Sequence, residues 1–433
     1  MNQNHKLGTP KLIRKMLSPL IKTWLRLVRD VVFAVADMLA LQFLPKHRRD
    51  GGPTRVVIII LHGIGDFVLW SSAHEIFLRR FPAPDYEITL ICWTKAEAFI
   101  RAFCTYRRII AVDRLRFIRD LRYRVRMIRH IRRQGFCIAV QPTFNRVFLI
   151  EDSIVRATGA PERIGNVGTN SFITGRQRRI SDEWYTRLLE TGGRPMHDLL
   201  RNAAVLRVLG WSDDDILRPR LAIAACPEPY VLFAIGASDF LRRWPVDRFA
   251  ALAKLIGDEF DLPIVFVAGQ EERELRKDFP IWDGARWTDL IGRTDIEALV
   301  GQIACARLLV SNDSGSVHLA SAIGTPSVCV VGGGLPGRYH PYPEGAVPES
   351  ARPIAISHHM PCYGCGWRCI YQLRKTAAAP CITEVTVEEV MAAVRLRLQE
   401  AANARLVRQE IASAEVGDRH VQADATAMTK SGL

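Results

Sequence analysis

The sequence lacks an uninterrupted apolar run that could cross a bilayer. Residues 31–44 are apolar, but Asp37 and Gln42 interrupt them, and they fall short of the roughly 20 residues that a spanning helix needs. The N-terminal region also lacks the clean apolar core and small-residue cleavage site of a secretory signal peptide. Ten cysteines in 433 residues do not indicate a secreted disulfide scaffold, so we predict a reducing, cytoplasmic setting.

Acidic residues are scarce relative to basic ones. The chain has 45 Asp and Glu against 59 Lys and Arg, which gives a net charge of +14. This excess indicates an acidic partner, either nucleic acid, anionic lipid or a phosphorylated substrate. No recognised RNA-binding module or aromatic stacking pattern accompanies the basic residues, so the interpretation favours the other two classes.

Residues 1–52 form a basic, amphipathic extension. Lysines and arginines lie among Leu, Ile and Trp24, a pattern that suits a helix lying in an anionic membrane interface. The alternative is a pair of helices packed on the protein's own surface. Residues 50–53 supply a linker to the part of the chain that follows.

Buried strands alternate with helices from residue 53 onward, which predicts parallel sheets covered on both faces. The pattern restarts after Pro229. We therefore predict an α/β protein of two Rossmann-like domains facing across a cleft, over 53–222 and 223–400. Residues 401–433 are polar and Ala-rich and are predicted to be disordered. Strands are predicted over 55–61, 86–93, 108–112, 136–141, 230–235 and 262–268, and helices over 95–103, 114–133, 144–158, 182–209, 245–260 and 271–279.

The most informative stretch is residues 305–334, CARLLVSNDSGSVHLASAIGTPSVCVVGGG. It predicts a buried strand at 308–310, a loop of turn-forming residues at 312–315, a short helix at 317–323 and a strand at 327–331. Such a unit is right-handed and parallel. Backbone N–H groups at the start of the helix suit a phosphate, so the loop is a candidate diphosphate site.

A second loop follows the first strand and reads His62-Gly63-Ile64-Gly65-Asp66. It is not a dinucleotide fingerprint, because a third glycine and a sugar-binding acid are missing at the required spacings. It does place the Asp66 carboxylate at the carboxyl edge of a parallel sheet, where ligands bind. Asp66 is therefore a candidate base for a hydroxyl nucleophile, and the alternative is that it only caps its helix.

Arg242 and Arg243 follow the predicted loop 236–238 and precede a helix. Guanidinium groups beside a helix N-terminus favour a phosphate site, with a solvated basic face as the alternative. Nine arginines lie on the predicted helix at 114–133. They suit the phosphates or carboxylates of a lipid-linked acceptor, the membrane surface, or a solvated face. The acceptor-side candidates are Gly63, Gly65, Arg119 and Arg122.

Three blocks of residues carry a family resemblance. They are Asn312-Asp313-Ser314-Gly315 with His318-Leu319-Ala320 and Gly324-Thr325-Pro326, Gly63 to Asp66 with Arg79-Arg80-Phe81-Pro82, and Arg242-Arg243-Trp244-Pro245 with Arg248-Phe249. They are similar to the signature, the opening and the Lys-Arg-Trp-Pro element of glycosyltransferase family 9, the lipopolysaccharide heptosyltransferases. The resemblance extends over roughly residues 55–395.

The resemblance implies a GT-B fold and an inverting, metal-independent sugar transfer with no cofactor. It implies that Asp66 is the base, and that Arg242 stands where the family has a diphosphate-binding Lys. This departure keeps the charge and changes the geometry. On the donor side, the resemblance implies that Asp313, Ser314 and Gly315 bind phosphate and ribose and that Glu271 or Glu272 binds ribose. The further implied donor-side residues are Gly236, Ala237, Ser238, Arg243, Leu290, Ile291 and Ser316. His318 is expected on this side as a structural partner of the loop 312–316.

A cysteine cluster lies beside two histidines near the end of the resemblance. Its members are Cys362, Cys365, Cys369 and Cys381, with His358 and His359 adjacent. Four thiols could ligate zinc, but only one pair has the close Cys-x-x-Cys spacing, whereas a structural knuckle has two. The alternatives are reduced packing cysteines or a labile disulfide.

The predicted activity is transfer of a sugar, heptose from ADP-heptose, to a lipopolysaccharide-type acceptor at the inner face of the cytoplasmic membrane. The expected partners are a nucleotide-sugar donor, a lipid-linked anionic saccharide and an anionic membrane surface contacted through residues 1–50, with no nucleic acid and a monomeric chain. Two alternatives stay open. One is the same fold with another nucleotide sugar in cell-surface polysaccharide synthesis, and the other is an inactive, membrane-associated nucleotide-sugar-binding protein.

Overall fold

The structure is a computed structural model that describes most of the chain. The described residues are 24, 28–42, 44, 51–169, 173–192, 196–223, 226, 230–279, 286–371, 373–374 and 377–401. The predicted extension over 1–52 lies mostly outside these ranges, as does the predicted disordered tail beyond residue 401. None of the helices described combines the length and the apolar character that crossing a bilayer requires.

The described strands form two six-stranded sheets. The first contains β1 (Thr54–Ile60), β2 (Tyr86–Trp93), β3 (Arg108–Val112), β4 (Ile138–Val140), β5 (Glu162–Asn166) and β6 (Arg187–Leu189), and the second contains β7 (Val231–Ala234), β8 (Ile264–Ala268), β9 (Trp287–Ile291), β10 (Leu308–Asn312), β11 (Ser327–Val330) and β12 (Ile354–Ile356). We call the parts of the chain that carry these sheets the first half and the second half.

Helices connect the strands. They are α1 (28–42), α2 (Ile64–Trp70), α3 (Ala73–Arg80), α4 (Thr94–Phe103), α5 (Arg114–Phe117), α6 (Leu121–Arg132), α7 (Ser153–Thr158), α8 (Gly175–Asp182), α9 (Asp198–Val208), α10 (Val246–Phe260), α11 (Ile296–Cys305), α12 (Gly315–Ile323), α13 (Pro380–Thr383) and α14 (387–401). Short 3-10 helices occur at Phe240–Arg242, Gln270–Asp278 and Glu349–Ala351, and a π-helical turn, Phe148–Asp152, leads into α7.

Both sheets are parallel and have the same strand order. The first runs β3-β2-β1-β4-β5-β6 and the second β12-β11-β10-β7-β8-β9, which is the order of the Rossmann fold in each half. The strand order reverses between β1 and β4 and between β7 and β10, and ligands bind in the crevice at such a point. The predicted α/β fold of two Rossmann-like units is confirmed.

The central strand β1 shows why the sequence forms a sheet that is covered on both faces. Val56, Ile58 and Ile60 pack into one hydrophobic cluster, while Val57 and Ile59 pack into another on the opposite face. All five side chains are buried. Because both faces of a parallel sheet are covered by helices, the strand needs a continuous β-branched run instead of alternating polar residues.

The two halves share a core where their helices meet. The cluster beneath Val56 continues into the second half through Leu232, Leu309 and Leu319, and α2 packs against α12. This packing brings the loop after β1 and the loop after β10 to one junction.

One difference from the sequence prediction concerns the cysteines. Cys226 and Cys305 form a disulfide, whereas the cysteine content predicts a reducing setting and no disulfide scaffold. Their Cα atoms lie 4.5 Å apart, within the range that a disulfide bridges.

Candidate active site

The candidate site lies where the point of strand-order reversal in the first sheet faces the corresponding point in the second sheet. Helices α2 and α12 begin at this junction, and their glycines touch. A Cβ added to Gly65 would lie 2.8 Å from Cδ2 of His318 and 3.1 Å from Cα of Gly315. The approach of the halves therefore requires glycine at position 65, a requirement that local sequence does not reveal.

Asp66 lies in the first turn of α2, on the first-half side of the junction. Its Oδ1 accepts hydrogen bonds from Nη2 of Arg338 at 3.1 Å and from Oη of Tyr339 at 2.8 Å. Both partners belong to the loop after β11 in the second half. Gly63 is the N-cap residue of α2, and no side chain caps that helix, so the alternative that Asp66 is only a cap does not hold.

Arg338 connects two first-half carboxylates. Its Nε donates to Oδ2 of Asp198 at 3.0 Å while its Nη2 reaches Asp66. Asp198 opens α9 and also accepts from Nη1 of Arg201 at 3.1 Å. Two guanidinium groups thus balance two carboxylates, which leaves this part of the junction close to neutral.

Asp66 is held ionised by its neighbours. Burial alone would raise the pKa of Asp66, but Arg338, His62 and the Tyr339 hydroxyl outweigh it and lower the pKa below the usual range. Burial lowers the pKa values of His62 and His318 to about 4, so both imidazoles are neutral at pH 7. Asp66 is therefore ionised at pH 7 and lies beside two neutral imidazoles.

A pocket opens beside Asp66 on its first-half side. Its walls combine the aromatic rings of Trp70 and Phe144 with the polar side chains of Asn145 and Asn202. Asp198, Arg201 and Arg338 also line it. The cavity volume is about 30 Å³, which admits a hydroxyl group but not a whole sugar ring, so this pocket is a candidate site for the acceptor hydroxyl.

Arg242 lies on the second-half side. Its Nη1 donates to the backbone oxygen of Asp313 at 3.2 Å and its Nη2 to Oγ of Ser238 at 2.5 Å. The guanidinium lies 5.9 Å from the ring of Trp367. No side chain caps α12, whose N-cap is Ser314, and Gly315 and Ser316 form its first turn. A guanidinium beside an uncapped helix N-terminus is a favourable anion site.

The two candidate ribose acids occupy different positions. Glu272 reaches the loop after β7, where its Oε1 accepts from the backbone N–H of Ala237 at 2.8 Å and from Nη2 of Arg243 at 3.0 Å. Its carboxylate lies against Gly236, where any Cβ would collide with it. Glu271 instead is exposed and pairs with Nζ of Lys95 at 2.8 Å. Glu272 therefore lies beside the loop after β7, where its Oε2 also accepts from the backbone N–H of Gly269, whereas Glu271 lies on the surface.

Three predicted donor residues have structural partners. Arg243 donates to the backbone oxygen of Ala237 as well as to Glu272, so it braces the 236–238 loop. Leu290 and Ile291 both lie in β9, the edge strand of the second sheet, where Ile291 is buried in the cluster on one face and Leu290 packs against the cluster on the other. These two residues fix the strand and bring no polar side chain to the site.

Asp313 turns its carboxylate inward. Its Oδ1 lies 3.4 Å from Nε2 of His340 in a buried pair. Burial opposes protonation of His340, but Cys329 and Asp313 raise its pKa to about 10, so the pair is charged. The Asp313 side chain thus fixes the loop after β11, while its backbone N–H donates to Val330 and its backbone oxygen accepts from Arg242.

Two acceptor-side candidates lie elsewhere. Arg119 and Arg122 are exposed, and neither lines the pocket beside Asp66. Arg122 lies in a shallow groove with Arg126, Arg129 and Arg133 on the outer face of α6. The structure does not bring this basic face together with the junction.

The four thiols of the predicted cysteine cluster lie in a loop segment after β12 and in α13. Within the described ranges, which include all four thiols, no three His, Cys, Asp or Glu side chains are grouped to hold a metal ion. The segment instead packs its aromatic rings on a glycine run. Tyr363 lies against Gly333, and Trp367 lies against Gly332 and Gly334, where Cβ atoms would collide with the rings.

Sequence reasoning missed Arg338 and Tyr339, which hold Asp66, and Asp198, which shares Arg338. The first two follow β11 in the sequence GGGLPGRYHPYP, just beyond the stretch that was interpreted as the diphosphate site. The rule that ligands bind at the carboxyl ends of parallel strands applies to this loop as well, and it would have identified the pair.

Comparison with known proteins finds relatives of part of this chain. The family described as "Glycosyltransferase family 9 (heptosyltransferase)" matches residues 152–363. Lipopolysaccharide heptosyltransferase 2 of Escherichia coli (strain K12) is 31% identical over 113 residues, 25% of this chain and 32% of that protein. Lipooligosaccharide heptosyltransferase 2 of Haemophilus influenzae is 29% identical over 109 residues, 24% of this chain and 31% of that protein. The chain thus spans about a third of the length of the curated relatives it matches.

Solved structures share the fold over a longer range. E. coli ADP-heptose lps heptosyltransferase II has a TM-score of 0.58 at 16% identity, over 80% of this chain and 99% of that one. A glycosyl transferase family 9 protein of Veillonella parvula has a TM-score of 0.58 at 20% identity, over 80% and 97%. The two facing Rossmann-like halves are the GT-B fold that these structures share, and residues 152–363 of the chain match the domain of glycosyltransferase family 9 (heptosyltransferase).

Proposed function

We propose that this protein is an inverting glycosyltransferase that moves heptose from ADP-heptose to a lipopolysaccharide-type acceptor. The observation that carries the proposal is the position of Asp66, an ionised carboxylate directly opposite the uncapped start of α12. The match of residues 152–363 to the heptosyltransferase family and the printed names of the relatives, which are heptosyltransferases, support the choice of sugar.

The donor's diphosphate binds on the second-half side in this proposal. Arg242 and the first-turn N–H groups of α12 at Gly315 and Ser316 contact the phosphates, and Glu272 accepts a hydrogen bond from a ribose hydroxyl. Helices α2 and α12 both begin at the junction, so both positive dipole ends favour an anion there.

The acceptor hydroxyl binds on the first-half side, in the pocket beside Asp66. Arg338 and Tyr339 both bond to Oδ1, and in the described part of the chain neither reaches Oδ2. Oδ2 is therefore the atom that takes the proton of the hydroxyl. The carboxylate is oriented by the second half, so the base is fully assembled only when the halves are closed.

The reaction step balances without a further reactant. Asp66 accepts the hydroxyl proton, the acceptor oxygen bonds to the anomeric carbon, and the bond between that carbon and the diphosphate oxygen breaks on the opposite face. The nucleoside diphosphate leaves with the electron pair. Arg242 and the α12 N–H groups stabilise the charge that builds on it, and removing one such donor typically costs about 3–4 kcal/mol of barrier. These cationic groups lead us to propose a metal-independent transfer.

The partners and location belong to the same proposal. The acceptor is a lipid-linked anionic saccharide, the protein works as a monomer at the inner face of the cytoplasmic membrane, and nucleic acid is not a partner. The net charge of +14 supports an acidic acceptor and an anionic surface.

The test is a transfer assay with purified full-length protein. Truncated lipopolysaccharide that lacks heptose, or carries one, is incubated with ADP-heptose or with other nucleotide sugars, and the products are analysed by mass spectrometry. We expect a mass gain of one heptose and release of ADP. Transfer from a different donor alone would support the runner-up, and donor binding without transfer or hydrolysis would support an inactive binding protein. Asp215→Asn, at an exposed carboxylate, is the control for Asp66→Asn.

A further inference from the structure

Helix α1 has two apolar faces on opposite sides. Phe33, Asp37 and Ala40 are buried against the first half, with exposed fractions of 6%, 2% and 4%. The opposite face carries large apolar side chains at helical spacing that are 40–62% exposed. This outer face consists of Val28, Val31, Val32, Val35, Met38 and Leu39.

The inner face fixes the orientation of α1. Nε of Arg124 in α6 donates to Oδ1 of Asp37 at 2.6 Å, and Nη2 of Arg124 donates to Oδ2. The Arg124 guanidinium also lies over the rings of Phe33 and Phe117, at 5.1 Å and 4.4 Å. Nη1 of Arg124 donates to the backbone oxygen of Leu149 at 2.8 Å. A buried, bidentate ion pair cannot rotate without leaving charges unpaired, so α1 cannot turn its outer face inward.

The charges around the outer face indicate what covers it. The sequence places Lys22, Arg26 and Arg29 before or at the start of the helix and Lys46, Arg48 and Arg49 after it. The only acids between residues 22 and 49 are Asp30, which pairs with Arg29, and Asp37, which is buried by Arg124. An apolar stripe with cations at both ends matches the interface of an anionic bilayer, where apolar residues enter the acyl boundary and cations meet lipid headgroups.

We infer that the outer face of α1 docks the protein on an anionic lipid bilayer, with the helix parallel to the membrane surface. The sequence left open whether the extension binds a membrane or packs on its own protein. The geometry assigns each role to a different face, because the inner face holds α1 to the first half while the outer face enters the interface. The inference requires neither the donor nor the acceptor of the proposed reaction.

The experiment is flotation of the full-length protein with vesicles. One set contains phosphatidylcholine alone and the other contains about a third phosphatidylglycerol. The test variant replaces Val31, Val35 and Met38 by serine, and the control replaces Leu78, Leu255 and Leu396, which are 41–50% exposed elsewhere. Both sets of side chains are exposed, so Tm measured for each variant should stay near that of the wild type.

We expect the wild type and the control to float with the anionic vesicles and to bind neutral vesicles at least tenfold more weakly. The test variant should lose at least tenfold of its binding to anionic vesicles. Unchanged flotation of the test variant would overturn the inference. Light scattering after size exclusion, without vesicles, tests whether a second copy of the chain covers the outer face instead. The face would be assigned to a second copy if the wild type is a dimer, the test variant is a monomer and the test variant still floats. Because no sugar transfer is measured, this result is independent of the proposed activity.

Discussion

Arg338 in the second half donates to Asp66 in the first half at 3.1 Å, so the proposed base is held from across the junction. Arg338 simultaneously pairs with Asp198, and Tyr339 reinforces the contact with Asp66. The carboxylate of the proposed base is therefore oriented for proton transfer only when the two halves are closed. Catalytic groups divided between two halves in this way function only when both are in place.

Replacing Arg338 by Met should change the pH profile of transfer. Arg338 is the strongest neighbour that lowers the pKa of Asp66, and burial, which raises it, would remain. Asp66 must be ionised to act, so the acid limb of kcat/KM should move to higher pH, and kcat at pH 7 should fall on the order of 10²-fold because the carboxylate is misplaced. The control is Arg395→Met, which removes an exposed pair with Glu259. An acid limb identical to that of the wild type would contradict the role of Arg338.

Replacing Arg242 by Gln should lower kcat by about 10²–10³-fold, because the guanidinium that stabilises the leaving diphosphate is lost. Arg242→Lys should retain more activity than the Gln variant, since the charge remains although the two-point contact does not. Steady-state kinetics and calorimetric titration with ADP measure the two effects. A Gln variant with wild-type kcat would remove Arg242 from the mechanism.

Gly65→Ala should destabilise the closed junction. Its Cβ would lie 2.8 Å from His318 and 3.1 Å from the Gly315 backbone, so the halves must separate or shift, at a cost of about 1–3 kcal/mol. Denaturant unfolding measures the change. The matched control is Gly301→Ala in α11, where the added Cβ meets nothing within 4 Å and a helix interior favours Ala by about 0.5–1 kcal/mol. Equal stability of the two variants would contradict the close approach.

Asp37→Asn should lower the free energy of unfolding by about 3–5 kcal/mol, because it leaves the Arg124 guanidinium buried and without its counter-charge. The double variant Asp37→Leu with Arg124→Met should be more stable than Asp37→Asn, because both charges are removed together. Lys254→Met, at the exposed pair with Asp258, should change stability by less than about 1 kcal/mol. Urea titration tests all three, and an Asp37→Asn effect as small as the Lys254→Met effect would show that α1 is not anchored by this pair.

The sequence allowed the central strands of both sheets to be predicted, because β1, β7, β8 and β10 are continuous runs of buried apolar residues. It did not reveal β5, ERIGN, or the short β6. These strands lie toward one edge of the first sheet and carry charged residues. Their sequence of apolar and polar residues therefore does not differ from that of the helices predicted around them.

Local signals also gave approximate boundaries for the loops. The spacing of Thr294 and Glu297 in the sequence is typical of a capping box, but the N-cap of α11 is Asp295, one residue later, which accepts from the backbone N–H of Ala298. The predicted helix at 271–279 is a 3-10 helix, Gln270–Asp278, which brings Glu272 back over the loop after β7. The loops that carry Asp66 and Ser314 were found from turn residues. Their contact with each other and with Arg338 depends on how the halves pack, which no local pattern encodes.

The most direct test of the proposed mechanism is kcat for Asp66→Asn, measured with ADP affinity and Tm. The amide keeps the size of the carboxylate but cannot take the acceptor's proton, so transfer should fall by about 10²–10⁴-fold, the usual contribution of a general base. ADP affinity should remain near that of the wild type, because the donor groups lie in the second half. Transfer at a near-wild-type rate by a folded, nucleotide-binding Asp66→Asn protein would contradict the account.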